Sequence, residues 1–447
     1  MKFLFFDYAF VRGQWQQNVR MAVQGGVILS LDVGVAVDGA EHIRGMAIPA
    51  MANVHSHAFQ RGFAGLAEYK PAGQSDFWSW RKAMYSFAAQ MTPQHMQAIA
   101  AQVYLECLIA GYSHVGEFHY LHNAHLGQQS EMMQALFNAA DEVGIGLTFL
   151  PVHYQTAGFD GGVLLPEQRG FSLSLDEMES LRESAAEISS DKHVIGHCFH
   201  SLRAVPADHM QDVMQSIKAG EPVHIHIAEQ KLEVDDCLSA TGKRPVEWLF
   251  ENVSVDENWC LIHATHMDKS EISAAASSGA VLGICPTTEA NLGDGIFPLA
   301  DYLAAGGSIA IGSDSNVCNN PAEELRLLEY SQRLNETRRT VACTETSPHV
   351  GTTLWTRAAK GGYKALGVNA GEIVVGARAD IVVLEADHPV LVAKPLEHIF
   401  DSLIFASGEG AVKHVMVAGE WRVRAGRHDK YSEITQRFGA TMRNLLS

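Results

Sequence analysis

No Cys-x-x-Cys occurs in this chain, and its seven cysteines (Cys107, Cys198, Cys237, Cys260, Cys285, Cys318 and Cys343) are scattered and odd in number. That pattern argues against a disulfide framework and a thiolate zinc site, and it fits reduced thiols in a cytoplasmic protein. Also missing is any uninterrupted apolar run near the ~20 residues of a membrane span. The apolar start Met1-Lys2-Phe3-Leu4-Phe5-Phe6 gives way to Asp7 and Arg12 too soon for a signal peptide. A cytoplasmic protein with no membrane partner is the expectation. Positive charge is scarce: 33 Lys and Arg against 51 Asp and Glu leave a net charge of −18. Sequence-independent nucleic-acid binding needs a positive field, so no nucleic-acid partner is expected. The deficit does not bear on an anionic small substrate, because a few arginines reverse the potential inside one pocket.

The 47% hydrophobic and 19% charged content is that of an ordinary globular protein, and 447 residues suffice for a large barrel plus an accessory domain. Residues 1–48 read as short strands and turns, with Gln24-Gly25-Gly26 before Val27-Ile28-Leu29, then Val33 to Val37 before Asp38-Gly39. The same texture returns at Ile373-Val374-Val375, Asp380 to Leu384 and His414 to Gly419. The two β-rich ends are expected to pair into one small β-sandwich domain, residues 1–48 with 371–425, followed by a helical segment at 426–447.

The middle, residues 49–370, alternates. Strand-like runs occur at Met46 to His55, Tyr112 to Phe118, Ile145 to His153, His193 to Phe199, Val223 to Ala228, Trp259 to His263, Ala280 to Cys285 and Ser308 to Asp314. Helical patterns such as Pro93 to Ala110, Glu131 to Val143, Leu175 to Ile188 and Ala207 to Lys218 lie between them. Eight strands alternating with helices predict an α/β fold, a (β/α)8 TIM-type barrel.

Chemistry in such a barrel sits at the C-terminal ends of its strands, and polar residues collect there. The first run ends Asn53-Val54-His55-Ser56-His57. Side chains alternate along a strand, so His55 and His57 share a face and could grip a transition metal. Alone, such a pair is more often a surface or hydrogen-bonded pair. Here it is joined by Glu117 and His119, by His197, His200 and Arg203, by His224, His226 and Glu229, by His263 and His266, and by Asp314. Burying so many polar groups without partners is costly.

In that order, Asn-x-His-Ser-His, His226-Ile227-Ala228-Glu229, Ile262-His263-Ala264-Thr265-His266 and Gly312-Ser313-Asp314-Ser315-Asn316 resemble the amidohydrolase superfamily, over nearly the whole chain. More narrowly, His57-Ala58-Phe59-Gln60-Arg61, the segment Asp76 to Tyr85 and Cys198 to Arg203 resemble the formimidoylglutamate deiminases. The resemblance implies hydrolysis of N-formimino-L-glutamate to N-formyl-L-glutamate and ammonia in histidine degradation. It implies one divalent ion, zinc by expectation, held by His55, His57, His226 and Asp314. His224 shares a face with His226 and competes with it. His226 is preferred because it lies nearer the strand end and three residues before Glu229. Many relatives hold two metals through a carboxylated lysine after strand four, but here that strand ends Gly196-His197-Cys198-Phe199-His200 with no lysine, and Lys192 is at its wrong end, so one metal is expected.

By the same resemblance, Asp314 takes the proton of the attacking water, His263 hydrogen-bonds the developing tetrahedral centre, and Glu229 moves protons to the departing nitrogen. The small dicarboxylate substrate calls for Arg81 and Arg203 as clamps, with Gln60, Tyr120 and His200 completing the pocket. Phe77, Trp78 and Trp80 would shape a loop over it or simply pack. Glu117, His119, His122 and His125 read as support behind the site rather than as a second metal site. A homodimer is expected from the resemblance. The nearest alternative is a deaminase or chlorohydrolase of a purine, pterin or triazine ring, which needs an aromatic slot in place of carboxylate clamps. A non-catalytic barrel scaffold would be expected to have lost some of these residues.

Overall fold

The computed structural model describes residues 1–68, 77–123, 127–343, 347–406, 408 and 410–447, apart from the side chains of residues 77–82. Four strands open the chain: β1 (Lys2–Val11), β2 (Gln14–Gln24), β3 (Val27–Val33) and β4 (Glu41–Pro49). Then come β5 (Met51–Ser56), β6 (Tyr112–His119), β7 (Gly146–His153), β8 (His193–Ile195) and β9 (His197–Phe199). They continue with β10 (Val223–Ile227), β11 (Trp259–His263), β12 (Val281–Ile284) and β13 (Ser308–Ile311). Near the C-terminus lie β14 (Ile381–Leu384), β15 (Val412–Val417) and β16 (Glu420–Val423).

Strands β5 to β13 are parallel neighbours, and the β13–β5 and β6–β7 pairings close them into a ring. Strands β8 and β9 are halves of one barrel strand, parted at Gly196, where a Cβ would meet Leu150 Cδ2 at 2.7 Å and the Pro222 carbonyl at 2.8 Å. Counted so, the ring is a closed barrel of eight parallel strands. Most of these strands are buried on both faces, which is why they read as continuous apolar runs rather than alternating ones.

Helices between the strands start and stop on local signals. Helix Pro93–Ala110 has Thr92 as its cap, accepting from the His95 N–H at 3.2 Å, and ends at left-handed Gly111. Asp268 caps Lys269–Ser278 in the same way through the Ser270 and Glu271 N–H groups. Helix Val350–Ala365 packs beneath β5 and β13. Gly361 permits that approach, since a Cβ there would lie 2.1 Å from the Ile309 carbonyl.

The other sheet has the order β16-β15-β14-β4-β1-β2-β3. The two chain ends join where β14 runs antiparallel to β4, from Ile381 opposite Pro49 to Leu384 opposite Met46. Helix Tyr431–Leu445 follows and packs against Pro93–Ala110. All seven cysteines are free thiols, and among the described residues no helix is long and apolar enough to cross a membrane.

Several expected elements differ. The run Met46 to His55 is two strands in two sheets: it breaks at Ala50, after Pro49, which has no N–H to continue a ladder. Val33 ends β3, and residues 34–40 turn rather than extend. Ile373 forms only an isolated bridge to Val11, so Ile373 to Val375 is not a strand despite its β-branched composition. Instead, two long strands, β1 and β2, form a hairpin through Arg12 and Gly13, both at positive φ. Phe77, Trp78 and Trp80 open the helix Phe77–Ala88 rather than a loop, because no glycine or proline interrupts the run to Ala88.

Candidate active site

Strand β5 carries His55 and His57 to the mouth of the barrel, and the chain after β13 lies directly against it. Gly312 makes this possible: a Cβ there would sit 2.7 Å from His55 Cβ. Two backbone bonds then lock Asp314 between the histidines. The Asp314 N–H donates to the His55 carbonyl at 2.9 Å, and the His57 N–H donates to the Asp314 carbonyl at 2.9 Å. Asn316 ties the same turn together, its amide donating to the His57 and Asp314 carbonyls at 3.0 Å each. Asp314, His263 and Ala228 have φ of 48°, 69° and 49°. Non-glycine residues rarely occupy this left-handed region, and such strain collects at functional sites.

The side chains converge. His55 Nε2 and His57 Nε2 each lie 3.3 Å from Asp314 Oδ1, and His226 Nε2 lies 2.9 Å from His55 Nε2. Bonds of 2.0–2.1 Å to a tetrahedral ion would separate its ligand atoms by about 3.3 Å, so these spacings suit one shared cation. The protonation states suit it too. Burial holds His55 down at about 3 and His226 well below the usual histidine range, so both are neutral. Burial would raise Asp314, but His55, His57 and His263 hold its carboxyl well below the usual range, so it is ionised. His57 Nδ1 donates to the Phe118 carbonyl at 2.8 Å, which leaves its Nε2 lone pair facing Asp314. Lone pairs crowded this closely are what a bound cation relieves. The four residues fit a divalent metal.

His224 is buried elsewhere, its Nε2 donating to the Ala365 carbonyl at 2.8 Å. His266 Nε2 donates to the Asp294 carbonyl at 2.7 Å and serves a loop. Glu117 accepts from the Ala58 N–H at 2.8 Å and from the Tyr104 hydroxyl at 3.1 Å, bracing the turn after β5. His122 donates to the Val152 carbonyl at 3.0 Å, and His125 lies outside the described residues.

His263 Nε2 stands 3.8 Å from Asp314 Oδ2 and 3.7 Å from Glu229 Oε1. Burial would lower its pKa, but Glu229, Glu289 and Asp314 outweigh that and raise it. Burial pushes Glu229 up against the pull of His263. A carboxyl and an imidazole, both shifted toward holding a proton beside the metal donors, form an acid–base pair.

These groups line a cleft of about 610 Å³ together with Gln60, Tyr85, Tyr120, Tyr154, Phe171, His200 and Arg203. Gln60 Nε2 donates to the Tyr120 hydroxyl at 2.7 Å. His200 Nδ1 pairs with Ser201 Oγ at 3.0 Å, and its ring stands edge-on to His226 at 5.1 Å. Arg203 hydrogen-bonds Tyr154 and feels Glu233 and Glu229, yet forms no ion pair among the described residues. A second cleft, of about 1210 Å³, meets the first at His200, Arg203, His226 and Glu229. Arg81 falls within helix Phe77–Ala88, and its side chain, like those of Phe77, Trp78 and Trp80, lies outside the described residues.

Two glutamates, Glu289 buried and Glu233 half-buried, belong to the site without having been expected there. Glu289 Oε1 accepts from His263 Nδ1 at 3.3 Å and from the Cys285 N–H at 2.8 Å. Glu233 accepts from the Ala228 and Glu229 N–H groups at 3.1 and 2.9 Å, holding the left-handed turn that presents Glu229. The available signal was weak: Glu233 lies four residues after Glu229, and Glu289 lies four after Cys285, where a strand-like run ends.

The profile of the Amidohydrolase family matches residues 46–422. The formimidoylglutamate deiminase of Pseudomonas aeruginosa is 44% identical over 452 residues, covering 100% of both chains. A crystal structure of an amidohydrolase from Brucella melitensis superposes with a TM-score of 0.94 at 42% identity, covering 100% of both chains. An adenosine deaminase from Xanthomonas campestris, solved with bound zinc, shares the fold with a TM-score of 0.82 at 19% identity, over 99% of this chain and 98% of its own.

Proposed function

This chain belongs to the amidohydrolase family, and on that premise we propose that it hydrolyses N-formimino-L-glutamate to N-formyl-L-glutamate and ammonia. The observation that carries the substrate is the full-length 44% identity to a formimidoylglutamate deiminase. The cleft's chemistry supports it: an acid–base pair beside four metal donors, with the Arg203 guanidinium, which forms no ion pair among the described residues, lining the same cleft.

In this reading His55, His57, His226 and Asp314 hold one zinc ion. Bound there, zinc supplies a Lewis acid that lowers the pKa of water toward about 7. The chain's own groups do the rest. Asp314 takes the proton of the water that adds to the formimino carbon. His263 hydrogen-bonds the tetrahedral centre, and Glu289 fixes which of its nitrogens faces the cleft. Protonated Glu229 gives its proton to the imino nitrogen as water adds. The same nitrogen then receives the proton held by Asp314 while Glu229 recovers one from the added hydroxyl, so the C–N bond breaks with ammonia as the leaving group and the added oxygen stays as the formyl carbonyl. Arg203 and Arg81 bind the two substrate carboxylates, which a guanidinium meets bidentately. Gln60, Tyr120 and His200 orient the glutamyl portion. A cytoplasmic homodimer is part of the same reading, checked by sedimentation.

A second reading, deamination of a ring, is favoured by the aromatic walls Tyr85, Tyr120, Tyr154 and Phe171. Product analysis in ¹⁸O-labelled water separates the two. The proposal expects equal amounts of ammonia and ¹⁸O-labelled N-formyl-L-glutamate; absence of the formyl product overturns it.

A further inference from the structure

A different cluster of metal-ligating side chains lies outside the cleft. His398 and Asp401 are spaced i, i+3 where the turn Leu396–His398 runs into helix Ile399–Phe405, so they share one face. That face meets the start of helix Val350–Ala365, which His349 immediately precedes. Asp401 divides its two oxygens. Oδ1 accepts from the Gly351 N–H at 2.7 Å, while Oδ2 faces both imidazoles, 2.7 Å from His349 Nδ1 and 3.7 Å from His398 Nδ1. The rings stand edge to face, 4.7 Å apart, and all three residues can offer donor atoms within 4.8 Å of one another.

A hydrogen bond from His349 accounts for one of these contacts and leaves His398 outside hydrogen-bond range of the same oxygen. A small cation in place of that hydrogen bond would engage all three side chains, whose donor atoms lie within 4.8 Å of one another. Ligand atoms around a tetrahedral zinc ion stand about 3.3 Å apart, so a cation would open the 2.7 Å His349–Asp401 pair and draw His398 in from 3.7 Å. Two imidazoles, which are borderline donors, with one carboxylate suit zinc or copper rather than calcium or magnesium, which take all-oxygen shells. Solvent can reach the cluster, since the His398 side chain is 51% exposed, and a water would complete the shell.

We propose that His349, His398 and Asp401 form a peripheral binding site for a divalent transition metal, distinct from the catalytic centre, which clips helix Ile399–Phe405 to helix Val350–Ala365. The clip bears on the barrel because Val350–Ala365 packs beneath β5 and β13, and its Trp355 bonds the Pro49 carbonyl just ahead of β5. The cluster therefore lies toward the N-terminal ends of the strands, away from His55 and Asp314.

The test is calorimetric titration of Zn²⁺ into protein whose catalytic site is already loaded with zinc, for the native chain, His398→Ala and His349→Ala. The expected result is a further equivalent bound by the native protein, with a rise in Tm, and loss of both in each variant while ammonia release persists. Lack of a further equivalent in the native protein, or its survival in both variants, overturns the proposal.

Discussion

Replacing Arg203 by methionine keeps much of the side chain's bulk and removes its charge. In a cleft walled by Tyr120, Tyr154 and Phe171, a guanidinium–carboxylate pair is shielded from water, and deleting one member of such a pair costs about 2–5 kcal/mol. That converts to a loss of roughly 30- to 5000-fold in kcat/KM at about 1.4 kcal/mol per decade. A substrate carboxylate is charged before and during reaction, so most of the loss belongs in KM. A second signature follows from geometry. Arg203 lowers the pKa of both Glu229 and Glu233, so its removal shifts the pH dependence governed by Glu229 upward. Arg203→Lys, which keeps the charge without the planar fork, should fall between. The assay is initial-rate ammonia release across pH. A methionine variant with native Tm and kcat/KM within about threefold of the native enzyme would refute Arg203 as a carboxylate clamp, since the pair would then be worth under about 0.7 kcal/mol.

Three further outcomes are expected. Glu229→Gln, with nearly the same shape, should lower kcat by about 10²–10⁴ with little change in KM, because proton transfer contributes about that much; stopped-time product assays check it. Chelation followed by dialysis should abolish turnover and lower Tm, and zinc should restore both, since an ion at 1000 times its Kd adds about 4 kcal/mol of stability; scanning calorimetry reads this. Burial raises the Glu324 carboxyl from 4.5 to about 8 although Thr287 donates to it twice, so the folded state binds a proton that the unfolded state has released. The resulting stabilisation is complete below pH 4.5 and is lost as pH rises toward about 8. Glu324→Gln, neutral throughout, should show a shallower fall in urea midpoint over that window.

The barrel was legible because its strands are buried on both faces and separated by capped helices, a pattern that needs no tertiary information. His55, His57 and His226 could be placed by strand alternation, and their convergence on one point appears in the fold. What sequence did not yield depends on contacts remote in the chain. The break after Pro49 hands one apolar run to two sheets, because β4 finds β1 and β14 while β5 finds β6 and β13. Gly312 is the residue that lets Asp314 approach His55, which no local pattern reveals. Glu289 and Glu233 act through His263 and the Glu229 backbone, and glutamates in helices ordinarily read as solvated surface. Ile373 to Val375 misled for the opposite reason, as β-branched composition without a partner strand beyond one bridge makes no ladder.

Side-by-side kcat/KM values for ammonia release by the zinc-loaded protein from N-formimino-L-glutamate, N-formimino-L-aspartate, adenosine and guanine test the assigned reaction. The proposed pair of carboxylate clamps predicts fast turnover of N-formimino-L-glutamate, weaker turnover of the shorter aspartate compound, and none of either ring. Deamination of adenosine or guanine with N-formimino-L-glutamate untouched would contradict it, leaving the metal donors and acid–base pair in place but the substrate wrong.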